Sequence, residues 1–281
     1  MGFLEAIILG LVQGLTEFLP ISSSAHLRIV GELFGRDPGA TFTAITQLGT
    51  ELAVLIYFRK DIARILTKWF QQFGKQRGSH SESIDRHDPD VKLGWLIIIG
   101  TIPIVIVGYL AQDYIRGAFR SLWLVAIVLI VFGIILGLAD LLAKRTRNLT
   151  QMTYGHGIVI GLAQMLALVP GVSRSGSTMT AGRLLGYDRP SAARFGFLLA
   201  VPAVFGSGLY ELVNSFSEPT GAYGYPETAV ATVIAFVVGF AVIAFLMRYI
   251  EKRSFLPFVI YRILLGATLL VLLSTGVLQP V

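Results

Sequence analysis

Six stretches of the chain are predominantly apolar and read as full spans: 42–58, 93–111, 122–143, 195–213, 227–247 and 255–277. Each is close to the ~20 residues that a helix needs to cross a hydrocarbon core. Two further apolar stretches, 3–30 and 155–186, are broken by polar clusters, PISSSAH in the first and PGVSRSGST in the second. Proline, glycine and serine there free backbone groups that must find partners inside protein or a wet cavity. The pattern therefore predicts six transmembrane helices and two interrupted helical segments.

Composition points the same way. The 281 residues are 54% hydrophobic and only 14% charged, where a soluble domain carries about 25% charged residues. Mean hydropathy is +0.71. No stretch reads as a separate soluble domain, so 1–281 is expected to be a single polytopic membrane domain. Cysteine is absent, which excludes disulfide and thiol chemistry. The start, MGFLEAIILGLVQG, has no Lys or Arg and contains Glu5, which argues against a cleaved signal peptide.

The net charge is +6, and its distribution matters more than its sum. Basic residues gather in 59–92, 144–154 and 248–254, whereas 112–121 and 214–226 are poor in lysine. The positive-inside rule puts the three basic loops in the cytoplasm and both termini outside. No nucleic-acid partner is implied. The loop 59–92, rich in Gly, Ser and Asp, is expected to be mobile. His80, His87 and His156 lie in loops or at a boundary and are expected to be solvated. With six spans so oriented, each broken segment returns to the side from which it enters. Each is then a re-entrant hairpin, the first entering from outside and the second from inside.

The broken segments echo each other. A constant offset of 151 matches Gly10 to Gly161, Leu11 to Leu162, Gln13 to Gln164 and Leu15 to Leu166. It also matches Ser22 to Ser173 and Ser24 to Ser175, and sets Ser23 against Arg174. Each copy is a broken segment followed by three spans. Because three is odd, the second copy must be inverted, an arrangement common in transporters. The expected fold is all-α and integral to the membrane. It has six transmembrane helices plus two re-entrant helical hairpins in an inverted-topology repeat, with repeat one at about 1–143 and repeat two at about 155–278.

Gln13 and Glu17 are four apart and share one helix face. An acid within a membrane segment is costly and marks a functional-site candidate; Glu17 could instead pair with an arginine for structure. Ser22, Ser23 and Ser24 follow Pro20, and a turn ending in a helix N-terminus suits an anion. Small residues also favour close helix packing. A helix restarting near Ser23 could bring His26 against it. Arg174 sits in GVSRSG, where a buried guanidinium needs an anion and its fork suits phosphate; Glu17 is the other possible partner. Gly171 and Gly176 have P-loop spacing, but Ser177 stands where lysine is required. That leaves a phosphate-cradling turn rather than a nucleotide site. Glu51 is a second intramembrane acid without an evident partner, and Arg262 an isolated cation; either could be structural.

Together these motifs resemble the undecaprenyl pyrophosphate phosphatase family, also called the bacitracin-resistance family. QGLTEFLPISSSAHL is similar to its first signature, Glu/Gln-x-x-x-Glu followed by Pro-x-Ser-Ser-x-x-His, and PGVSRSGST to its second. QLGTELAV, FLLAVPA and SFLPFVIYR are similar to further stretches. The resemblance implies removal of one phosphate from undecaprenyl diphosphate, recycling the carrier of cell-wall precursors in the bacterial plasma membrane. It implies Gln13 and Glu17 as the acidic pair, Ser23 and His26 as the Ser/His pair and Arg174 as the phosphate clamp. Ser22, Ser24, Ser173, Ser175, Gly176 and Thr178 are candidate phosphate-binding groups. A divalent cation, Mg2+ or Ca2+, is the implied cofactor, with Glu17 and Gln13 as candidate ligands. Gln at position 13 lies within the family pattern but weakens a two-carboxylate metal site. Glu51 stands where an apolar residue is expected.

A diphosphate on a long lipid suits a polar pocket beside hydrocarbon, and phosphoryl transfer asks mostly for positioning and charge neutralisation. The nucleophile would be Ser23 Oγ or a metal-bound water, with His26 or Glu17 as base. The implied partners are an isoprenoid lipid diphosphate and membrane lipids, and the site is expected to face outward. A homodimer is compatible with the sequence, which selects no oligomeric state. The second reading is a transporter or flippase of polyprenyl phosphate lipids, favoured by the inverted repeat. The PSGH and SR-x5-H-x3-D runs of type-2 phosphatidic acid phosphatases are absent.

Overall fold

The computed structural model describes residues 2–73, 88–111, 121–144, 146–216 and 222–279. Eleven α-helices account for most of them. Six are long and apolar enough to cross a membrane: α3 (Gly39–Tyr57), α5 (Pro89–Leu110), α6 (Leu122–Leu142), α9 (Arg189–Ser215), α10 (Tyr225–Lys252) and α11 (Leu256–Ser274). They coincide with the six apolar runs. The short helices are α1 (Gly2–Thr16), α2 (Ser23–Leu33), α4 (Arg59–Gln71), α7 (Tyr154–Met165) and α8 (Arg174–Leu184). Among the described residues there is no β-strand, only an isolated bridge between Arg147 and Tyr187.

Both predicted breaks are present. The first separates α1 from α2, and the second, after a 3-10 turn at Leu166–Leu168, separates α7 from α8. The helix ahead of each break docks on a long helix, α1 on α10 and α7 on α5. Glycine makes both contacts possible. A Cβ on Gly10 would lie 2.6 Å from the Ala231 carbonyl oxygen, and one on Gly161 would lie 2.4 Å from that of Gly100. Small residues at membrane-helix interfaces permit this backbone approach.

The expectation of a mobile loop over 59–92 is corrected at its start, where Arg59–Gln71 is helical. Ile62, Ile65 and Trp69 recur at helical spacing, and Ile65 is buried. The polar residues on the other faces disguise this periodicity as hydrophilic loop. Arg64 and Lys68 tie the helix to the head of α5 through Asp90 (2.9 Å) and Asp88 (2.8 Å). Residues 74–87, including His80 and His87, and the loop segments 112–120 and 217–221 lie outside the described residues. His156 is tied rather than free, with Nδ1 2.7 Å from the Tyr187 hydroxyl.

One carboxylate organises an end of the bundle. Asp140 accepts from Arg183 Nε (2.9 Å), from Arg189 Nε and Nη2 (2.7 and 2.8 Å) and from the Phe255 backbone N–H (3.1 Å). This gathers the C-terminal ends of α6 and α8, the start of α9 and the approach to α11. Arg194 on α9 pairs with Asp61 and brings α4 to the same end. At the other end Tyr223 bonds Glu5 (3.2 Å), Thr41 bonds Glu211 (3.0 Å) and Tyr225 bonds the Ser215 carbonyl (2.6 Å). Asp140→Ala removes the carboxylate shared by two buried guanidiniums. Thermal unfolding in detergent should show a loss of about 3–5 kcal/mol. An unchanged midpoint would mean that Asp140 is no structural node.

Candidate active site

The two breaks have nearly the same local structure. Ser22 and Ser173 each cap the following helix with φ of +73°, a left-handed conformation that a non-glycine residue adopts at a cost of order 1 kcal/mol. Ser22 Oγ accepts from the Ala25 N–H (3.4 Å), and Ser173 Oγ from the Gly176 N–H (3.1 Å). Each cap hydroxyl also lies beside the serine two residues on, Ser24 at 3.2 Å and Ser175 at 3.1 Å.

The turns are locked to each other. Ser175 Oγ donates to the Leu19 carbonyl across the break (3.1 Å). The larger tie is Arg262, which is fully buried. Its Nη1 donates to the carbonyls of Pro20 (3.2 Å) and Val172 (3.1 Å), its Nη2 to Gly171 (2.7 Å) and its Nε to Leu129 (3.3 Å). One guanidinium thus satisfies carbonyls that both broken helices release. The sequence offers Arg262 only as a lone cation in an apolar run.

Across this junction the chemistry-bearing side chains meet. Glu17 Oε2 accepts from Ser23 Oγ (2.6 Å) and from Gln13 Nε2 (2.8 Å). Glu17 Oε1 accepts from Arg174 Nη2 (2.5 Å). Glu51 Oε2 lies 3.5 Å from the same Nη2. The neighbour of Glu51 is therefore Arg174, 123 positions away in sequence and out of reach of any local pattern. Glu17, Ser22, Ser23, Ser24, Ser173 and Arg174 all line a cavity of about 550 Å³. Its other walls are largely apolar, including Ile104 and Val105 of α5 and Val204 of α9. Such a cavity suits an amphiphile with an anionic head.

Several expected roles narrow. Among the described residues His26 makes no hydrogen bond to Ser23. Its Nδ1 is 2.7 Å from the Ser22 carbonyl and its Nε2 2.7 Å from the Tyr261 hydroxyl, with the two rings stacked. A carbonyl can only accept, so Nδ1 carries the proton and, in the neutral ring, Nε2 accepts from Tyr261. The base within reach of Ser23 is Glu17. Thr178 bonds back to the Arg174 carbonyl (3.0 Å), as hydroxyls inside helices do. Gly176 N–H is held by Ser173, and Ser175 faces Leu19. None of these three lines the cavity. Sequence reasoning misses Glu211, which does line it; an acid inside an apolar run was the available signal.

For a hard cation the donors are oxygens. Among the described residues, Gln13 Oε1 is buried and without a hydrogen-bond partner beside Glu17, as are both oxygens of Glu51. Among the described residues no three His, Cys, Asp or Glu side chains gather to hold a metal unaided. Gln13 and Glu17 fit an ion such as Mg2+ that takes one or two protein oxygens and completes its shell with water and substrate phosphate.

Comparison with known proteins adds an independent line. The sequence profile of the family described as bacitracin resistance protein BacA matches residues 6–268. The chain is 68% identical over 276 residues to an undecaprenyl-diphosphatase of Clavibacter michiganensis subsp. michiganensis, covering 98% of each. It is 59% identical over 283 residues to an undecaprenyl-diphosphatase of Micrococcus luteus, covering 99% of this chain and 100% of the relative. It is 53% identical over 281 residues to undecaprenyl-diphosphatase 2 of Agrobacterium fabrum, covering 99% and 98%.

Arg262→Met tests the junction. The carbonyls of Pro20, Gly171 and Val172 lose their donors, at roughly 1 kcal/mol or more each. Thermal unfolding in detergent should register a loss of at least about 3 kcal/mol. Arg262→Lys should recover little, because an ammonium lacks the guanidinium fork. Wild-type stability in both variants would refute the clamp.

Proposed function

The chain belongs to the bacitracin resistance protein BacA family, and on that footing we propose that it is an undecaprenyl-diphosphatase. It removes the terminal phosphate of undecaprenyl diphosphate and returns the lipid monophosphate to cell-wall synthesis. The observation that carries this reading is the Ser23–Glu17–Arg174 constellation in a cavity with apolar walls. The base, Glu17, is within hydrogen-bond reach of both the nucleophile, Ser23, and the anion clamp, Arg174.

The geometry favours Ser23 as nucleophile and Glu17 as its base. Arg174 and the hydroxyls of Ser22, Ser24 and Ser173 bind the diphosphate. Phosphate oxygens draw Arg174 away from Glu17, and the freed carboxylate becomes a stronger base. Ser23 passes its proton to Glu17 Oε2 as Oγ bonds to the terminal phosphorus. The bond from that phosphorus to the bridging oxygen breaks, and the lipid monophosphate leaves as a stable anion. Glu17 gives the Ser23 proton to the departing lipid phosphate, then accepts the proton of a water that attacks the phosphoserine. As the Oγ–phosphorus bond breaks, Glu17 returns the proton to Ser23 Oγ and inorganic phosphate is released. Gln13 and Glu17 would hold a divalent cation, which when bound neutralises phosphate charge. The prenyl tail lies along the apolar wall that includes Ile104, Val105 and Val204.

The reading extends to topology. An inverted repeat, about 1–143 and 155–278, is supported by the matched caps at Ser22 and Ser173 and by the exchange of partners, α1 on α10 and α7 on α5. Re-entrant hairpins are supported by the contacts at the two ends. Glu5 and Thr41, on either side of the first hairpin, bond residues at one end of the bundle. His156 and Arg183, in the second, bond residues at the opposite end. That opposite end also carries the basic segments, which by the positive-inside rule is the cytoplasmic one. The protein is then a multi-pass protein of the plasma membrane, with the first hairpin and its cavity open to the outer side.

Purified protein should release phosphate from a C15 isoprenyl diphosphate in detergent. Glu17→Ala, Ser23→Ala and Arg174→Ala should each lower kcat by at least about 100-fold, the scale on which general-base assistance contributes. EDTA should suppress the wild type. Folded wild type that binds the lipid but releases no phosphate with Mg2+ or Ca2+ would refute the reading.

A further inference from the structure

Glu51 is the group that the mechanism leaves unused. It is fully buried in α3, and among the described residues neither carboxylate oxygen has a hydrogen-bond partner. A carboxylate in that state is costly unless a counter-charge is near. The near counter-charge is Arg174 Nη2 at 3.5 Å, the same atom that donates to Glu17 at 2.5 Å. Glu17 and Arg174 line the cavity and Glu51 does not, so Glu51 is absent from the wall that meets substrate.

We propose that Glu51 is a positioning residue that holds Arg174 from behind and sets how tightly the site binds diphosphate. This rests on the hydrolase reading above. Arg174 has two anionic partners, one of which must be given up when a phosphate arrives. If Glu17 were its sole partner, the guanidinium would hold it more firmly and weaken the base that Ser23 needs. Glu51 keeps the arginine neutralised while Glu17 turns to Ser23. With Glu51 ionised, the local sum of Arg174, Glu17 and Glu51 is one negative charge rather than zero. An incoming or departing phosphate is thereby held less tightly, which favours product release.

The sign of this effect separates it from other roles. Removing a support of the fold, or a ligand of a cation, weakens phosphate binding. Removing a charge that opposes the phosphate strengthens it. Glu51→Gln should therefore bind methylenediphosphonate about tenfold more tightly, the scale set by one unit charge several ångströms away at an effective dielectric of about 20. Its KM for the C15 diphosphate should fall while kcat also falls. A double variant, Gln13→Glu with Glu51→Gln, restores the charge sum from α1 and should return the affinity to the wild-type value. Gln13 already touches Glu17, with Nε2 to Oε2 at 2.8 Å.

The experiment is calorimetric titration of methylenediphosphonate into detergent-purified protein with EDTA present, beside phosphate-release kinetics of the same preparations. Glu51→Met supplies the same charge change if the Gln variant does not fold. Tighter binding with lower kcat supports the inference. Unchanged or weaker binding in the variant, beside a wild type that turns over, overturns it and leaves the hydrolase reading standing. Tighter binding in the variant, with a wild type that releases no phosphate, keeps Glu51 as the setter of affinity and removes the hydrolase reading.

Discussion

The structure depends on how it satisfies backbone groups released by two broken helices inside an apolar body. In hydrocarbon a helix can be interrupted only where protein or enclosed water supplies the missing partners. Arg262 supplies them for both breaks at once, from a helix near the C-terminal end of the chain. With the carbonyls of Pro20, Gly171 and Val172 held on one guanidinium, the turns cannot drift apart. The caps at Ser22 and Ser173 start α2 and α8 beside that junction. Only that junction brings Ser23 and Glu17 from one turn against Arg174 from the other.

The site itself is a balance of charge. In the proposed mechanism Glu17 must be anionic to activate Ser23 and Arg174 must take a phosphate, yet each is the other's nearest partner in the structure. Such a pair stays poised because the incoming anion competes for the arginine. Phosphoryl transfer needs little more than this from a protein: orientation, a base and neutralisation of oxygen charge. The apolar wall of the cavity adds a surface on which an isoprenoid tail can lie while its head reacts.

What was legible in the sequence follows from the range of the interactions. Six membrane helices announce themselves by length and apolarity, and both breaks by Pro, Gly and Ser inside apolar runs. The Gln13–Glu17 contact is readable because four residues make one helical turn. The helix at Arg59–Gln71 is harder to read, since its polar faces mask a short apolar stripe. His26 shows the limit of local reasoning. Spacing sets it beside the serine cluster, but its second nitrogen goes to Tyr261, 235 positions away. Arg262 and Glu51 are visible only as charges out of place. Their partners lie on other helices, and only the fold identifies them.

The most direct test of a site assembled from two turns is a double-mutant cycle between Glu17 and Arg174. The cycle uses Glu17→Gln, Arg174→Gln and the pair, read as kcat/KM for phosphate release from a C15 isoprenyl diphosphate. If the two side chains act as one unit, their losses will not add, and the coupling energy will exceed about 1 kcal/mol. Losses that add within about 0.5 kcal/mol would mean that the residues act independently, and would contradict the account of one site shared by both turns.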